Sequence, residues 1–257
     1  MTLSPLSLLI AVAVLTVAGV VIVRRFGFKP QEDGGAIGSL IIPCLLSIYL
    51  IAVAMGIVIG WENNRQAADD VVAEATTATD LYWSTTTFPS GSGEQVRREL
   101  RTYVETVIRN DWPEMRHGEL SPAGDSALGR LRASVAEVPT SDQAAALDRM
   151  VARQEVSGLV DKRIERADSA QAHIPRTLVL ITAITALAIA ALPFGMGGTR
   201  TRAGLFWSVT NLVIVVSTVA ALLFLDNPYA GLIPVESEPL EQALVGFDRI
   251  DQVTGRL

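Results

Sequence analysis

The sequence predicts an all-α membrane protein, with four transmembrane helices and a helical-bundle extramembrane insert between the second and third spans. Three observations carry that expectation. Four windows, Leu6–Val23, Ile37–Ile59, Thr177–Phe194 and Ala203–Leu225, contain no Asp, Glu, Lys, Arg or His. Each is close to the roughly 20 apolar residues that a helix rising about 1.5 Å per residue needs to cross a hydrocarbon core of about 30 Å. The 257 residues are 49% apolar yet 19% charged, too greasy for an ordinary soluble domain and too charged for spans alone. The charged residues gather between the second and third windows, where apolar positions recur at spacings of three and four. The chain therefore divides into 1–60 with spans one and two, 61–173 as the insert, 174–225 with spans three and four, and 226–257 as a tail.

The first window has no basic residue before it, while Arg24 and Arg25 follow it. A cleaved leader has the reverse order, so the window is expected to be retained as a span. The second window ends at Trp61, where an interfacial aromatic belt would lie. No proline or glycine cluster separates it from the polar stretch Glu62-Asn63-Asn64-Arg65, so one helix is expected to continue from lipid into water.

Within the insert, Ala67, Val71, Ala75, Ala78 and Tyr82 share one helical face, with Asp69, Asp70, Glu74 and Asp80 expected elsewhere on the surface. Pro89-Ser90-Gly91 ends that helix, and Ser92 with Gln95 has capping-box spacing before the stripe Val96, Leu100, Tyr103, Val107. Ser121-Pro122 opens a third helix, and Thr140 with Gln143 a fourth that runs past Leu147, Val151 and Leu159. Pro175 marks a kink or restart ahead of the third span. Asp226-Asn227-Pro228 stops the fourth span sharply. Ser237 then precedes Leu240, Leu244, Phe247 and Ile250, a short amphipathic helix expected to pack against the insert.

The polar residues inside the spans are uncharged. Ser39, Pro43 and Ser47 share a face of the second span, and Ser208, Asn211 and Thr218 roughly share one on the fourth. Such groups either bond across helices, at about 0.6–2 kcal/mol per contact, or line a water path. On the second reading Ser39, Pro43, Ser47, Ser208 and Asn211 are the pore-lining candidates. No carboxylate, His or Lys lies at membrane depth, which argues against a proton relay but not against a pore gated by apolar constrictions. Cys44, the single cysteine, permits no intrachain disulfide and reads as a small packing residue.

No catalytic, cofactor or metal site is expected. A straight helix carrying Asp69, Asp70, Glu74 and Asp80 cannot supply the tight oxygen loop of a calcium site. Glu114-Met115-Arg116-His117 has Glu-x-x-His spacing but lacks the second copy of a di-iron bundle. Net charge −6 and the lack of a basic aromatic patch exclude nucleic acid. The short links carry Arg24, Arg25, Lys29, Arg200 and Arg202, and weighing short loops most would place the insert outside.

Two stretches carry a family resemblance. One is Trp61-Glu62-Asn63-Asn64-Arg65 followed by Glu74-Ala75. The other is Leu225-Asp226-Asn227-Pro228-Tyr229-Ala230-Gly231 followed by Glu238-Pro239-Leu240. With the two-span, insert, two-span layout, the chain resembles the bestrophin-like family of bacterial membrane proteins, distant relatives of the bestrophin anion channels. Trp61, Asp226, Asn227 and Pro228 are the structural motif residues of that resemblance. It implies a homo-oligomer, a pentamer, with a pore for small ions lined by the second span, and it implies a cytoplasmic insert. The expected function is an ion-channel-like protein of the lipid bilayer. The alternative is a membrane-anchored sensor or scaffold whose insert binds a ligand or partner protein.

Overall fold

The computed structural model describes residues 34–89, 91–195, 201–231 and 233–255. The first expected span, Leu6–Val23, lies outside the described residues. Among the described residues every regular element is helical. In chain order these are α1 (Gly34–Ser84), α2 (Ser92–Thr106), α3 (Trp112–Met115), α4 (Pro122–Ala136), α5 (Gln143–Ala170), α6 (Arg176–Gly195), α7 (Arg202–Leu225) and α8 (Glu238–Thr254). A 3-10 turn, Thr85–Thr87, follows α1, and a π-helical turn, Val107–Asp111, joins α2 to α3. Three stretches are helical, long and apolar enough to cross a membrane: Ile41–Thr87, Arg176–Pro193 and Arg202–Leu225. The uncharged second window and the polar stretch after it lie in one helix, α1.

The described residues fall into two compact units. One holds those up to Glu62 together with His173–Asp226. The other holds Asn63–Ala172 together with those from Asn227 onward.

In the first unit, Tyr49 and Val53 of α1 pack with Ala186, Ile189 and Ala190 of α6 and with Val215, Val219 and Leu222 of α7. Gly56 and Gly60 make the approach of α7 possible. A Cβ on Gly56 would sit 2.6 Å from Leu222 Cδ2, and one on Gly60 would sit 2.8 Å from Leu225 Cβ and 3.0 Å from its carbonyl oxygen. In hydrocarbon, where apolar burial drives nothing, such small-residue contact is what lets helices associate. Outward, α1, α6 and α7 expose Ile48, Ile51, Leu180, Ile184, Phe206 and Val213, a surface suited to lipid. Pro175 acts as a restart: α5 ends at Ala170 and α6 begins at Arg176.

The second unit has a core of the kind found in water-soluble bundles. Val71, Ala78 and Tyr82 of α1 meet Val96, Leu100 and Tyr103 of α2, with Leu131 and Val135 of α4, Val156 and Leu159 of α5, and Leu240 and Phe247 of α8. The tail helix thus packs as its stripe predicts, its Phe247 ring stacked on Tyr82 at 4.1 Å. Ser121 caps α4 by accepting from the Ala123 amide.

Two expected caps differ. Ser92 lies inside α2, and the cap position belongs to Gly91, whose φ of 92° suits only a residue without a Cβ. The cap of α5 is Asp142, which accepts from the Ala145 amide, rather than Thr140; a carboxylate nearer the first turn outcompetes a hydroxyl two residues earlier.

Candidate functional site

The pore-lining candidates do not share one surface. Pro43 and Ser47 lie on an exposed face of α1, opposite the face that Tyr49, Val53, Gly56 and Gly60 pack inward. Helical spacing continues that exposed face through Leu50, Ala54 and Val58 to Trp61, so it is mostly apolar. Ser47 Oγ donates to the Pro43 carbonyl at 2.8 Å, which leaves its lone pairs to the outside. The side chain of Ser39 lies outside the described residues. Ser208 is buried and donates to Gly204 O, while Asn211 Nδ2 reaches across to Ile189 O of α6 at 3.1 Å. Thr218 bonds Tyr49 of α1. Ser208 is thus satisfied within α7, while Asn211 ties α7 to α6 and Thr218 ties it to α1.

The motif residues at the end of α7 act locally. Asp226 Oδ1 accepts from the Ile174 amide at 2.8 Å, and its backbone carbonyl lies 3.1 Å from His173 Nδ1. Asn227 Oδ1 accepts from the Tyr229 and Ala230 amides at 2.9 and 3.0 Å, closing an Asx turn, and its Nδ2 donates to Arg116 O. Pro228 O accepts from the Val235 amide at 2.9 Å. Trp61 is exposed on α1.

The second unit contains a feature the sequence reading placed on the surface. Asp69 and Asp80 are exposed, but Asp70 is 5% exposed and Glu74 is 0%. Glu74 Oε2 accepts from Arg166 Nε at 2.5 Å and its Oε1 accepts from the Tyr103 hydroxyl at 2.6 Å. Asp111 takes four donors: the Ser121 amide, Arg163 through Nε and Nη2, and Arg166 through Nη2. Asp125 pairs with Arg163 from the exposed side, and Asp70 accepts from Gln66 and Ser169. Burial would lower the Arg166 guanidinium, but Glu74 and Asp111 outweigh it and hold it firmly charged. Burial, then the Glu74 carboxylate, pushes the Tyr103 hydroxyl well above its usual range.

Local structure makes this network possible. The π turn inserts one extra residue into the α2–α3 helix, and that turn carries Asp111 inward. Gly124 leaves the space, since a Cβ there would lie 2.5 Å from Arg163 Nη2 and 2.6 Å from Asp111 Oδ1. The two stretches that carried the family resemblance meet here: Glu74 bonds Arg166, whose guanidinium lies 5.7 Å over the Trp112 ring, and Tyr229 packs edge-on to Trp112 at 5.6 Å. Arg166 Nη1 and the Tyr229 hydroxyl are buried without a protein partner. With both Asp111 oxygens and both Glu74 oxygens engaged, the cluster is built to lock helices rather than to move protons. Among the described residues no group of His, Cys, Asp and Glu is arranged to hold a metal ion.

Compared with known proteins, the chain matches a family profile described as a Bestrophin-like domain over residues 9–240. No curated protein and no solved structure matches it.

Proposed function

Because the chain belongs to the bestrophin-like family, we propose that it is a multi-pass protein of the cell membrane that assembles with copies of itself and passes small ions along a path lined by its second span. The observation that carries this reading is the asymmetry of α1. One face is committed to α7 through Gly56 and Gly60, while Pro43, Ser47 and Ala54 on the other face are exposed among the described residues. An uncharged, mostly apolar face repeated around a symmetry axis makes a weakly polar path that can close by dewetting. Leu6–Val23 supplies the fourth span, and the insert hangs between spans two and three. No catalytic step, cofactor or nucleic acid belongs to this reading. Incorporated into planar bilayers, the protein gives unitary currents that shrink when Ser47 is replaced by Trp; a silent, monodisperse protein counts against conduction.

A second reading makes the insert a sensor or scaffold that binds a ligand. It is favoured by a large cleft between the first turns of α2 and the end of α8, lined by arginines. A binding partner retained by the whole chain in the absence of any current distinguishes it from the channel.

A further inference from the structure

Among the described residues of the second unit, the aromatic side chains are buried or half-buried with one exception. Trp83, on the last turn of α1, is 52% exposed. Helical spacing sets it on one outward line with Val72, Thr76 and Asp80. Its surroundings are negative. Asp80 is exposed, with no base three or four residues to either side. Beside Trp83, the Ser84 hydroxyl donates to Glu155 Oε2 of α5 at 2.6 Å. Burial raises the Glu155 carboxyl, and the Asp80 charge adds to a rise that the Ser84 hydrogen bond opposes.

A groove between α4 and α5 has the opposite character. It encloses about 220 Å³ and is lined by Arg132, Val135, Arg153, Val156 and Ser157, with no carboxylate in the lining. Val135 and Val156 are buried and form its apolar floor, while Arg132, Arg153 and Ser157 are exposed. The ion pairs of α4 and α5 use Asp125, Arg130, Lys162, Arg163 and Arg166, and among the described residues neither Arg132 nor Arg153 joins one. Glu155 turns from Arg153 towards Ser84 on α1. Glu137 and Asp148, each five residues from one of these arginines, pair with neither. Arg149, one turn before Arg153, donates to the Val138 carbonyl and adds to the positive side. An apolar cavity of about 150 Å³ holds a benzene, so this groove has room for an indole.

We propose that Trp83 of one copy of this chain seats in the α4–α5 groove of the next copy, with Arg132 and Arg153 against its ring and against Asp80. The indole covers the two valines, and a guanidinium over its face is held by the ring quadrupole. Asp80 gives the second guanidinium an ion partner that its own chain does not supply. The occupant is a second copy because this chain carries both halves, an aromatic with an acidic flank and an apolar groove with basic walls, each short of what the other offers. Aromatic and arginine side chains in a small pocket are also the groups that dominate association energies. The two halves lie on different helices, so the contact is heterologous and repeats head to tail, closing as a ring when the rotation allows. The proposal rests on the reading that the chain assembles with copies of itself, and it names the contact within the insert that would hold them.

The test measures the mass of the full chain in detergent by light scattering as it is diluted. The unchanged chain is expected to be larger than a monomer. Trp83→Ala, which empties the groove, and Ser157→Trp, which fills it from the wrong copy, each raise the concentration of half-dissociation about tenfold or more. Combined, they cost little more than either alone, because both remove the same contact. Asp80→Lys weakens assembly as well, and adding Arg132→Glu with Arg153→Glu restores part of it. These side chains are exposed, so the fold does not depend on them; should Ser157→Trp nevertheless fail to fold, the charge reversal and its rescue decide. A monomeric chain overturns both this contact and the reading of self-assembly. An oligomer indifferent to Trp83→Ala, or a charge reversal without rescue, overturns the contact and leaves self-assembly standing. Weakened assembly with rescue in a protein silent in bilayers supports the contact while counting against conduction.

Discussion

The two units hold their helices together by opposite means. Among the described residues, the first unit buries no charged side chain; its buried Thr182, Thr185 and Ser208 are each satisfied by a backbone carbonyl of their own helix, and its cross-helix polar bonds, Asn211 to Ile189 O and Tyr49 to Thr218, join uncharged groups. The second unit buries Glu74, Asp111, Arg163 and Arg166 and lets them bond one another across α1, α5 and the π turn. Glycine serves both, but for different guests. Gly56 and Gly60 admit a neighbouring helix, whereas Gly124 admits an ion pair. The difference follows from the solvent each unit folds in. An unpaired charge in hydrocarbon is costly to insert, while in a water-exposed bundle an ionic cluster whose carboxylate oxygens are all engaged fixes one register of the helices.

The sharpest way to break the comparison is to remove one side of the buried cluster. Arg166→Met strands Glu74 and loosens Asp111, and a loss of about 3–5 kcal/mol is expected, read as a fall in the unfolding midpoint of the detergent-solubilised chain. Combining it with Glu74→Gln recovers part of that loss, since the second substitution removes the stranded charge; a purely additive pair would mean that the two side chains act separately.

Next in size is overpacking. Gly60→Ala meets a backbone carbonyl as well as a side chain, so it costs about 1–3 kcal/mol. Gly56→Ala meets only the flexible end of Leu222 and costs less. The same midpoint measurement ranks the two, and equal costs would deny that backbone contact at Gly60 is what brings α7 close. Gly124→Ala belongs beside Gly60→Ala in magnitude but disturbs ions instead of helix approach.

A smaller effect separates the units by pH. Burial and the Asp251 contact push the Tyr82 hydroxyl from 10.0 up to about 12. The folded chain holds this proton more tightly than the unfolded chain does. The associated stability is therefore complete below pH 10 and is lost as pH rises through about 12. Tyr103 and Tyr229 are pushed up in the same direction by burial, so they add to the loss in strong alkali. Tyr82→Phe flattens the unfolding midpoint between pH 10 and 12, and an unchanged slope would remove Tyr82 from the account.

The sequence made the helices readable because charge-free windows and three-four stripes report on single elements. The windows Thr177–Phe194 and Ala203–Leu225 sit inside α6 and α7, and the tail stripe packs its Phe247 where an amphipathic helix should. The buried cluster was not readable in this way. Glu74 and its partner Arg166 are 92 residues apart, and a carboxylate on a helix looks solvated until its guanidinium is known. Asp111 points inward only because a π turn shifts the register by one residue, and no side chain in Val107–Asp111 announces that. Gly56 and Gly60 did carry a signal, the small-xxx-small spacing of packed membrane helices, which was available without any structure. The cleft between α2 and the end of α8 was hidden for the same reason as the cluster, since its opposite wall comes from the far end of the chain.

The central claim is that hydrocarbon surrounds the uncharged helices while water surrounds the ion-locked bundle. Labelling with a water-soluble maleimide in opened lipid vesicles tests it directly, using single cysteines placed in a Cys44→Ser background. Ile184→Cys and Val213→Cys, on the outward faces of α6 and α7, are expected to stay unlabelled, while Leu147→Cys on α5 reacts fully. Comparable labelling at all three positions would contradict the account.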